Sequence, residues 1–121
     1  MKLQKKENAG GQFIDKKADI KNGDIVTILN GGVEHEGQYG VQFGLLINTK
    51  NGERVLDLNQ TTKNNLIDAF GDETESWIGK EVKVWVIRAM VGGKMCDIVY
   101  LSAKDWEMDD EGKFHAVIQQ N

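Results

Sequence analysis

The 121-residue sequence contains no proline and a single cysteine, and no long hydrophobic run interrupts it. Because Cys96 stands alone, the chain can form neither an internal disulfide nor a zinc site built from several cysteines. A membrane helix needs about 20 consecutive apolar residues, which no segment supplies, and the N-terminus lacks a signal-peptide core. These absences predict a cytoplasmic protein that does not bind membranes.

Positive charge is also scarce, since 15 Lys and Arg face 19 Asp and Glu and leave a net charge of −4. Contacts from Lys and Arg to phosphates supply most of the non-specific affinity of nucleic-acid binders, so the total argues against that class. The distribution along the chain changes this interpretation. Residues 1–21 carry six lysines against three acids, whereas residues 105–121 carry five acids against one lysine. The average therefore conceals a basic N-terminal region and an acidic C-terminal one.

Three strands are predicted in the first half of the chain, where glycines mark the turns. Residues 25–29 form a β-branched run that stops before two glycines, which is typical of a strand. Residues 39–47 alternate with period two, which places Tyr39 and Phe43 on the face toward the core. An Asn-Gly pair at 51–52 predicts a tight hairpin turn into a third strand over 54–58. We expect the polar residues 34–37 to form a loop between the first two strands.

One short helix is predicted after these strands. Thr61 and Thr62 can cap the amides of its first turn, and the helix itself would cover residues 63–70. Acidic residues at 72–75 resemble a second cap and predict one further turn. The side chains that this turn would carry into the core are Trp77 and Ile78.

Two more strands follow, over residues 81–89 and 95–101, joined across a Gly-Gly turn. Alternation in the first of them predicts that Val82, Val84 and Val86 face the core while Lys83 and Trp85 face outward.

The order β-β-β-α-β-β predicts an all-β fold with one short helix, arranged as a five-stranded OB-fold barrel. Closure of such a barrel removes the exposed edge strands of a small open sheet. The predicted organisation is a flexible basic arm over residues 1–20, the OB domain over 21–104, and an acidic tail or short added element over 105–121. Both alternatives for residues 105–121 remain open, because residues 110–113 also suit a turn between two short strands.

Several short motifs resemble a group of small OB-like proteins encoded by phages, prophages and microbes, some of them labelled as single-stranded DNA-binding. The residues that carry the resemblance are Gly23-Asp24-x-Val26-x-Ile28, Leu58-Asn59-x-Thr61, Leu66-x-x-Ala69-Phe70-Gly71-x-x-Thr74-x-x-Trp77-x-Gly79-Lys80-x-Val82 and Gly93-Lys94-Met95. They cover roughly residues 22–102. The resemblance implies the fold first and single-stranded DNA as the ligand second, and it assigns no binding residue.

OB barrels bind single strands by stacking bases on aromatic side chains and by lining the backbone with Lys and Arg. Residues of these types fall on the strands and loops that an OB barrel uses. The candidate nucleic-acid-binding residues are Lys50, Arg54, Lys83, Trp85, Arg88 and Lys94. The stacking role of Trp85 is balanced by an alternative, in which its indole packs beneath the N-terminal arm or the C-terminal tail.

Catalytic motifs are lacking. His35 and His115 have no companions at metal-ligand spacing, and residues 92–94 lack the remaining spacing of a phosphate loop. We therefore expect no enzyme, no cofactor and no metal.

The sequence favours a non-catalytic OB-fold protein that binds single-stranded nucleic acid, most simply DNA, in replication or recombination. The alternative is a protein-interaction module within a larger complex, with a partner held through the acidic tail. A homo-oligomer is compatible with both functions.

Overall fold

The computed structural model of the protein describes residues 12–37 and 40–117. It is β-rich with one α-helix, which confirms the predicted all-β class. The elements are β1 (Ile25–Ile28), β2 (Val33–Gly37), β3 (Gly40–Thr49), β4 (Gly52–Asp57), α1 (Gln60–Phe70), a 3₁₀ turn (Thr74–Trp77), β5 (Glu81–Val91), β6 (Lys94–Ala103), β7 (Trp106–Met108) and β8 (Phe114–Ala116). Tyr39, predicted to face the core, lies outside the described residues.

Strands β1 to β6 form one antiparallel sheet in which β3 has neighbours on both sides. The hydrogen-bonded path runs β2-β3-β1-β5-β6, and β4 pairs with the other edge of β3. Both β1 and β2 follow the same edge of β3, since Ile28 lies opposite Ile47 and Val33 lies opposite Gly44. Together they act as one long strand along this edge of β3, and the strand is interrupted at residues 29–32.

The predicted loop over 34–37 is wrong, because those residues belong to β2. Glu34 and Glu36 are exposed while Val33 and His35 are half-buried, so the segment alternates as a strand does. Polar residues on the solvent face obscured this period in the sequence. The interruption before β2 is held by the Asn30 side chain, whose oxygen accepts hydrogen bonds from two backbone amides.

The core lies between the sheet and α1. Val82 and Val84 are fully buried and Val86 packs against the core, as the alternation in β5 predicts. Trp77 is 2% exposed and its indole nitrogen donates to the carbonyl of Gly71. The prediction for Ile78 is wrong, since the 3₁₀ turn ends at Trp77 and leaves the next side chain 47% exposed.

Helix α1 begins earlier than predicted and is capped by Asn59. The Asn59 side-chain oxygen accepts from the amide of Thr62 at 2.9 Å, and its nitrogen donates to a β6 carbonyl. Thr62 is buried instead, and its hydroxyl accepts the Leu101 amide of β6. The expected threonine cap is therefore replaced by a link between the helix and the sheet. The acidic cap at 72–75 is wrong too, because Glu73 holds the cap position without a side-chain hydrogen bond.

The predicted closure into a five-stranded barrel is not formed by the strand pairings of the described residues, which leave the sheet open. The N-terminal segment, defined here as residues 12–20, lies at the seam between β4 and β6. Its backbone exchanges two hydrogen bonds with Val55 of β4. Further along, the ammonium of Lys16 reaches the backbone carbonyl of Asp97 on β6 at 3.3 Å. Residues 1–11 of the predicted arm lie outside the described residues.

The C-terminal hairpin, formed by β7 and β8, covers the outer face of β5 and β6. Phe114 sets its ring against Trp85 and Tyr100, with centroids 5.5 and 5.6 Å apart. Asp109 accepts the amides of Glu111 and Lys113 in the connecting turn. Residues 106–116 therefore form a two-stranded hairpin, with Asp109, Asp110 and Glu111 in its turn.

Candidate nucleic-acid interface

Lys83 and Trp85 share the outer face of the sheet, where the C-terminal hairpin lies over them. The Lys83 ammonium sits 4.8 Å from the centre of the Trp85 ring and 3.3 Å from a Glu107 carboxylate oxygen. The indole nitrogen donates to the Ser102 hydroxyl at 2.9 Å, and Phe114 contacts the ring. The indole is thus engaged by the protein itself. The alternative in which Trp85 packs beneath the C-terminal region describes its environment better than an open stacking platform does.

Lys50 and Arg54 flank the turn between β3 and β4. Lys50 is exposed. Arg54 is held, because its Nε donates to an Asp19 carboxylate oxygen at 3.0 Å and its side chain is only 17% exposed. The pKa of Asp19 is lowered, first by the backbone hydrogen bond from Asp15, then by hydrogen bonds from Asn51 and Arg54. Arg54 thus fixes the N-terminal segment to the turn and has little charge to offer a ligand.

Arg88 and Lys94 lie on the far part of the ribbon that β5 and β6 form. An Arg88 nitrogen lies 3.0 Å from an Asp97 carboxylate oxygen, and the Lys17 ammonium lies 3.8 Å from the other oxygen. With Lys16 on the backbone carbonyl of the same residue, three cations meet at Asp97, two of them on its carboxylate. We call Lys16, Lys17 and Arg88 with Asp97 the cation cluster; its local charge is positive. Lys94 is exposed at the tip of the ribbon, opposite Val91 and on the other face.

Lys16 and Lys17 were not predicted as individual site residues. The sequence held one indication of them, the excess of lysine over residues 1–21. Their place beside Arg88 depends on contacts across the fold, since Lys16 and Asp97 are 81 residues apart in sequence. Of the six predicted residues, the structure places Arg88 in this cluster, whereas Lys94 lies opposite Val91 on the other face of the ribbon.

A cleft of about 300 Å³ opens beside the cation cluster, along the seam between β4 and β6. A second depression of about 310 Å³ lies over the cluster itself and shares Lys16, Cys96 and Asp97 with the first. The cleft also presents the polar side chains of Gln42, Asp57 and Asn59. A charged mouth therefore leads into a groove with both apolar and hydrogen-bonding walls.

His35 and Phe13 stand next to this cleft. The Nε2 of His35 lies 2.7 Å from an Asp57 carboxylate oxygen, and this hydrogen bond, with the negative charge of Asp57, raises the pKa of His35 against the opposing effect of burial. The Phe13 ring meets the imidazole edge-on at 5.4 Å and is 44% exposed. Phe13 is an aromatic side chain open to a ligand.

Within residues 12–37 and 40–117, no three or more His, Cys, Asp or Glu side chains are placed to hold a metal ion. Within the same ranges, no helix has both the length and the apolar character to span a membrane.

Comparison of the chain with protein-family models, with curated proteins and with solved structures gives no match. Its function must therefore be argued from its own residues.

Proposed function

We propose that this protein is a non-catalytic, OB-type binder of single-stranded nucleic acid, most simply DNA. The observation that carries the proposal is the cation cluster, in which Lys17 and Arg88 converge on the carboxylate of Asp97 and Lys16 contacts its backbone carbonyl. Such a site retains net positive charge and lies at the mouth of a cleft. Phosphates of a strand passing through the cleft would add the negative charge that the cluster lacks.

The OB-type assignment is part of the same proposal. Support comes from the order of the elements. If β1 and β2 are counted as one interrupted strand, three strands, a helix and a two-stranded ribbon follow one another, as in the OB fold. In a closed barrel, β4 would pair directly with β6. In this proposal the N-terminal segment lies between these two strands instead. The binding groove is then the seam itself.

The roles in the proposed site follow from chemistry. Lys16, Lys17 and Arg88 contact phosphates, while Phe13 offers a ring on which a base stacks, a contact worth about 1–3 kcal/mol. The net negative charge of the protein does not repel a strand from this site over long distances, because exposed charges are screened beyond about 8–10 Å at physiological salt.

The experiment compares two triple variants of equal net charge by fluorescence anisotropy with a labelled oligothymidylate over a salt series. The first is Lys16→Gln/Lys17→Gln/Arg88→Gln, and the matched control is Lys63→Gln/Lys80→Gln/Lys104→Gln. Each variant loses three positive charges, so total charge is held constant between them. Circular dichroism checks that both remain folded.

We expect the wild type to bind more weakly as salt rises, with a slope set by the number of phosphate contacts. The first variant should lower the magnitude of that slope by about 2, because each of the three lost contacts contributes about 0.7. The control should leave the slope unchanged. Equal effects of the two variants, or a wild type that does not bind at low salt, would contradict the proposal.

A protein-interaction module is the second candidate, and one observation favours it. On the side of α1, a depression of about 230 Å³ is floored by Phe43, Ile67 and Trp77 and edged by Glu34 and Asp72. Ile67 is 41% exposed there. Co-purification of one protein that survives nuclease treatment and is lost in Ile67→Lys, together with no oligonucleotide binding, would select this function instead.

A further inference from the structure

The ribbon of β5 and β6 continues past the core and ends in exposed apolar side chains. Pairing extends to Val91 opposite Lys94, with Gly92 and Gly93 at positive φ in the turn. Met90 and Met95 lie directly opposite each other, and they are 65% and 50% exposed. Two large apolar side chains thus form a cross-strand pair that no described residue covers substantially.

The face on which this pair lies is fixed by the alternation of the strands. Arg88 and Met90 are two residues apart on β5, and Asp97 and Met95 are two apart on β6. Side chains two residues apart in a strand share a face and are separated by about 7 Å. The methionine pair therefore lies on the same face as Arg88 and Asp97, one step further along the ribbon. Val91 points to the opposite face.

We infer that the Met90–Met95 pair is the surface on which bases of a bound single strand rest while the cation cluster holds the adjoining phosphates. This inference rests on the proposed function. An unpaired base has a flat, weakly polar face, and methionine sulfur makes favourable contacts with aromatic rings. The cations beside the pair make this stretch of the ribbon complementary in charge to a phosphate backbone. Apolar and cationic patches thus lie next to each other, as bases and phosphates do in a single strand.

A strand without bases separates the two contributions. Anisotropy is measured with a labelled oligothymidylate and with an abasic oligonucleotide of the same length and charge. The wild type should bind oligothymidylate at least about tenfold more tightly than the abasic strand, because the methionine pair adds its base contact to that of Phe13. Phosphate contacts remain available in both ligands.

The decisive variant is Met90→Thr/Met95→Thr, and Val91→Thr is the control on the other face of the same ribbon. Threonine retains the strand preference of these positions, and circular dichroism checks the fold. We expect the double variant to lose roughly tenfold of the preference for oligothymidylate, equivalent to one modest base contact, and to keep the part that Phe13 supplies. Its affinity for the abasic strand should change less than twofold. The control should keep the full preference.

The outcomes distinguish the inference from the function on which it rests. Equal binding of both oligonucleotides by the wild type, or a preference that is as large in the double variant as in the wild type, would overturn the inference and leave the phosphate contacts standing. Failure of the wild type to bind oligothymidylate at low salt would overturn both.

Peroxide oxidation followed by mass spectrometry provides a second measurement on the unmodified protein. Met90 and Met95 should be oxidised readily when free and be protected by oligothymidylate but not by the abasic strand. Met108, which is half-buried in the C-terminal hairpin, serves as the internal reference. Protection by both strands to the same degree would count against base contact.

Discussion

At the scale of single residues, the contact between His35 and Asp57 joins two parts of the sheet beside the cleft. His35 lies on β2 and Asp57 ends β4, and both strands flank β3. The hydrogen bond of 2.7 Å stabilises the protonated imidazole and so raises the pKa of His35. Protonation near neutral pH therefore strengthens a contact between neighbours of β3.

The sign of the pH effect follows from that shift. A raised pKa in the folded state gives stability that is fully present below the unfolded pKa of about 6.5 and is lost as pH rises through the folded value. We expect Asp57→Asn to return the pKa of His35 toward its ordinary value, as followed by NMR titration. In urea unfolding, the stability difference between the wild type and Asp57→Asn should be larger at pH 6 than at pH 8.5. A difference that grows with pH would contradict this account.

Gly32 is a second residue with a definite physical requirement. Its φ is +86°, and a Cβ at this position would lie 2.0 Å from the Phe43 ring. A side chain here meets both an unfavourable backbone conformation and a half-buried aromatic ring.

We expect Gly32→Ala to lower the free energy of unfolding by about 3 kcal/mol, from backbone strain of about 1–2 kcal/mol and overpacking of about 1–3 kcal/mol. Gly23→Ala is the matched control, because its φ of +94° is similar but no atom lies within 4 Å of its Cβ position. Urea denaturation should show a loss of only about 1 kcal/mol for the control. Equal losses would mean that the ring is not the obstacle.

At the scale of elements, the C-terminal hairpin is attached to the sheet through few side chains. Phe114 contacts Trp85 and Tyr100, and Glu107 pairs with Lys83. The ion pair involves an exposed carboxylate, so the aromatic contacts carry most of the attachment. The hairpin should therefore open more easily than the sheet.

Replacement of Phe114 tests this attachment. We expect Phe114→Ala to accelerate amide hydrogen exchange throughout residues 106–116, with global unfolding changed by about 1–2 kcal/mol, since aromatic pairs contribute about 0.5–1.5 kcal/mol beyond burial. Lys113→Ala, at the exposed position before Phe114, is the control. Exchange that stays slow in the hairpin of the Phe114 variant would show that other contacts hold it.

At the scale of the whole molecule, the N-terminal segment belongs to the core as well as to the seam. Ile20 is 3% exposed within the same apolar cluster as Val84 and Leu101, and Ile14 packs against that cluster. Segments that share one core unfold together in small domains.

Ile20→Ala should therefore destabilise the protein as a unit. We expect a loss of about 2–4 kcal/mol, the usual range for removing a buried isoleucine side chain. Far-ultraviolet circular dichroism and tryptophan fluorescence should report the same midpoint in urea, shifted equally. An early transition in one probe alone would indicate that the N-terminal segment detaches before the sheet unfolds.

Charge is also arranged at this scale. The cation cluster occupies the seam and the far ribbon, whereas Glu34, Asp72 and other acids lie by α1. The acidic turn of the C-terminal hairpin lies on a third surface, opposite the core-facing side of β5. A net charge of −4 thus coexists with a cationic groove, because the sum over the chain does not record position.

The sequence by itself determined the β-rich class, the hairpin turns at 51–52 and 92–93, and the inward parity of Val82, Val84 and Val86. These features follow from the period of two along a strand and from glycine at turns, which neighbouring residues specify. Local pattern also placed Lys83 and Trp85 on the outer face correctly. It underestimated β2, where polar residues on both faces weakened the period.

Only the tertiary structure decided which surfaces are covered and which cations meet. The hairpin over Trp85, the capture of Arg54 by Asp19, and the approach of Lys16 to Asp97 join residues from distant parts of the chain. Such contacts depend on the packing of whole elements, whereas period and propensity report the surroundings of each residue within its own segment. A strand pattern can therefore indicate the face of the sheet on which a side chain lies, but not the residues that it contacts there.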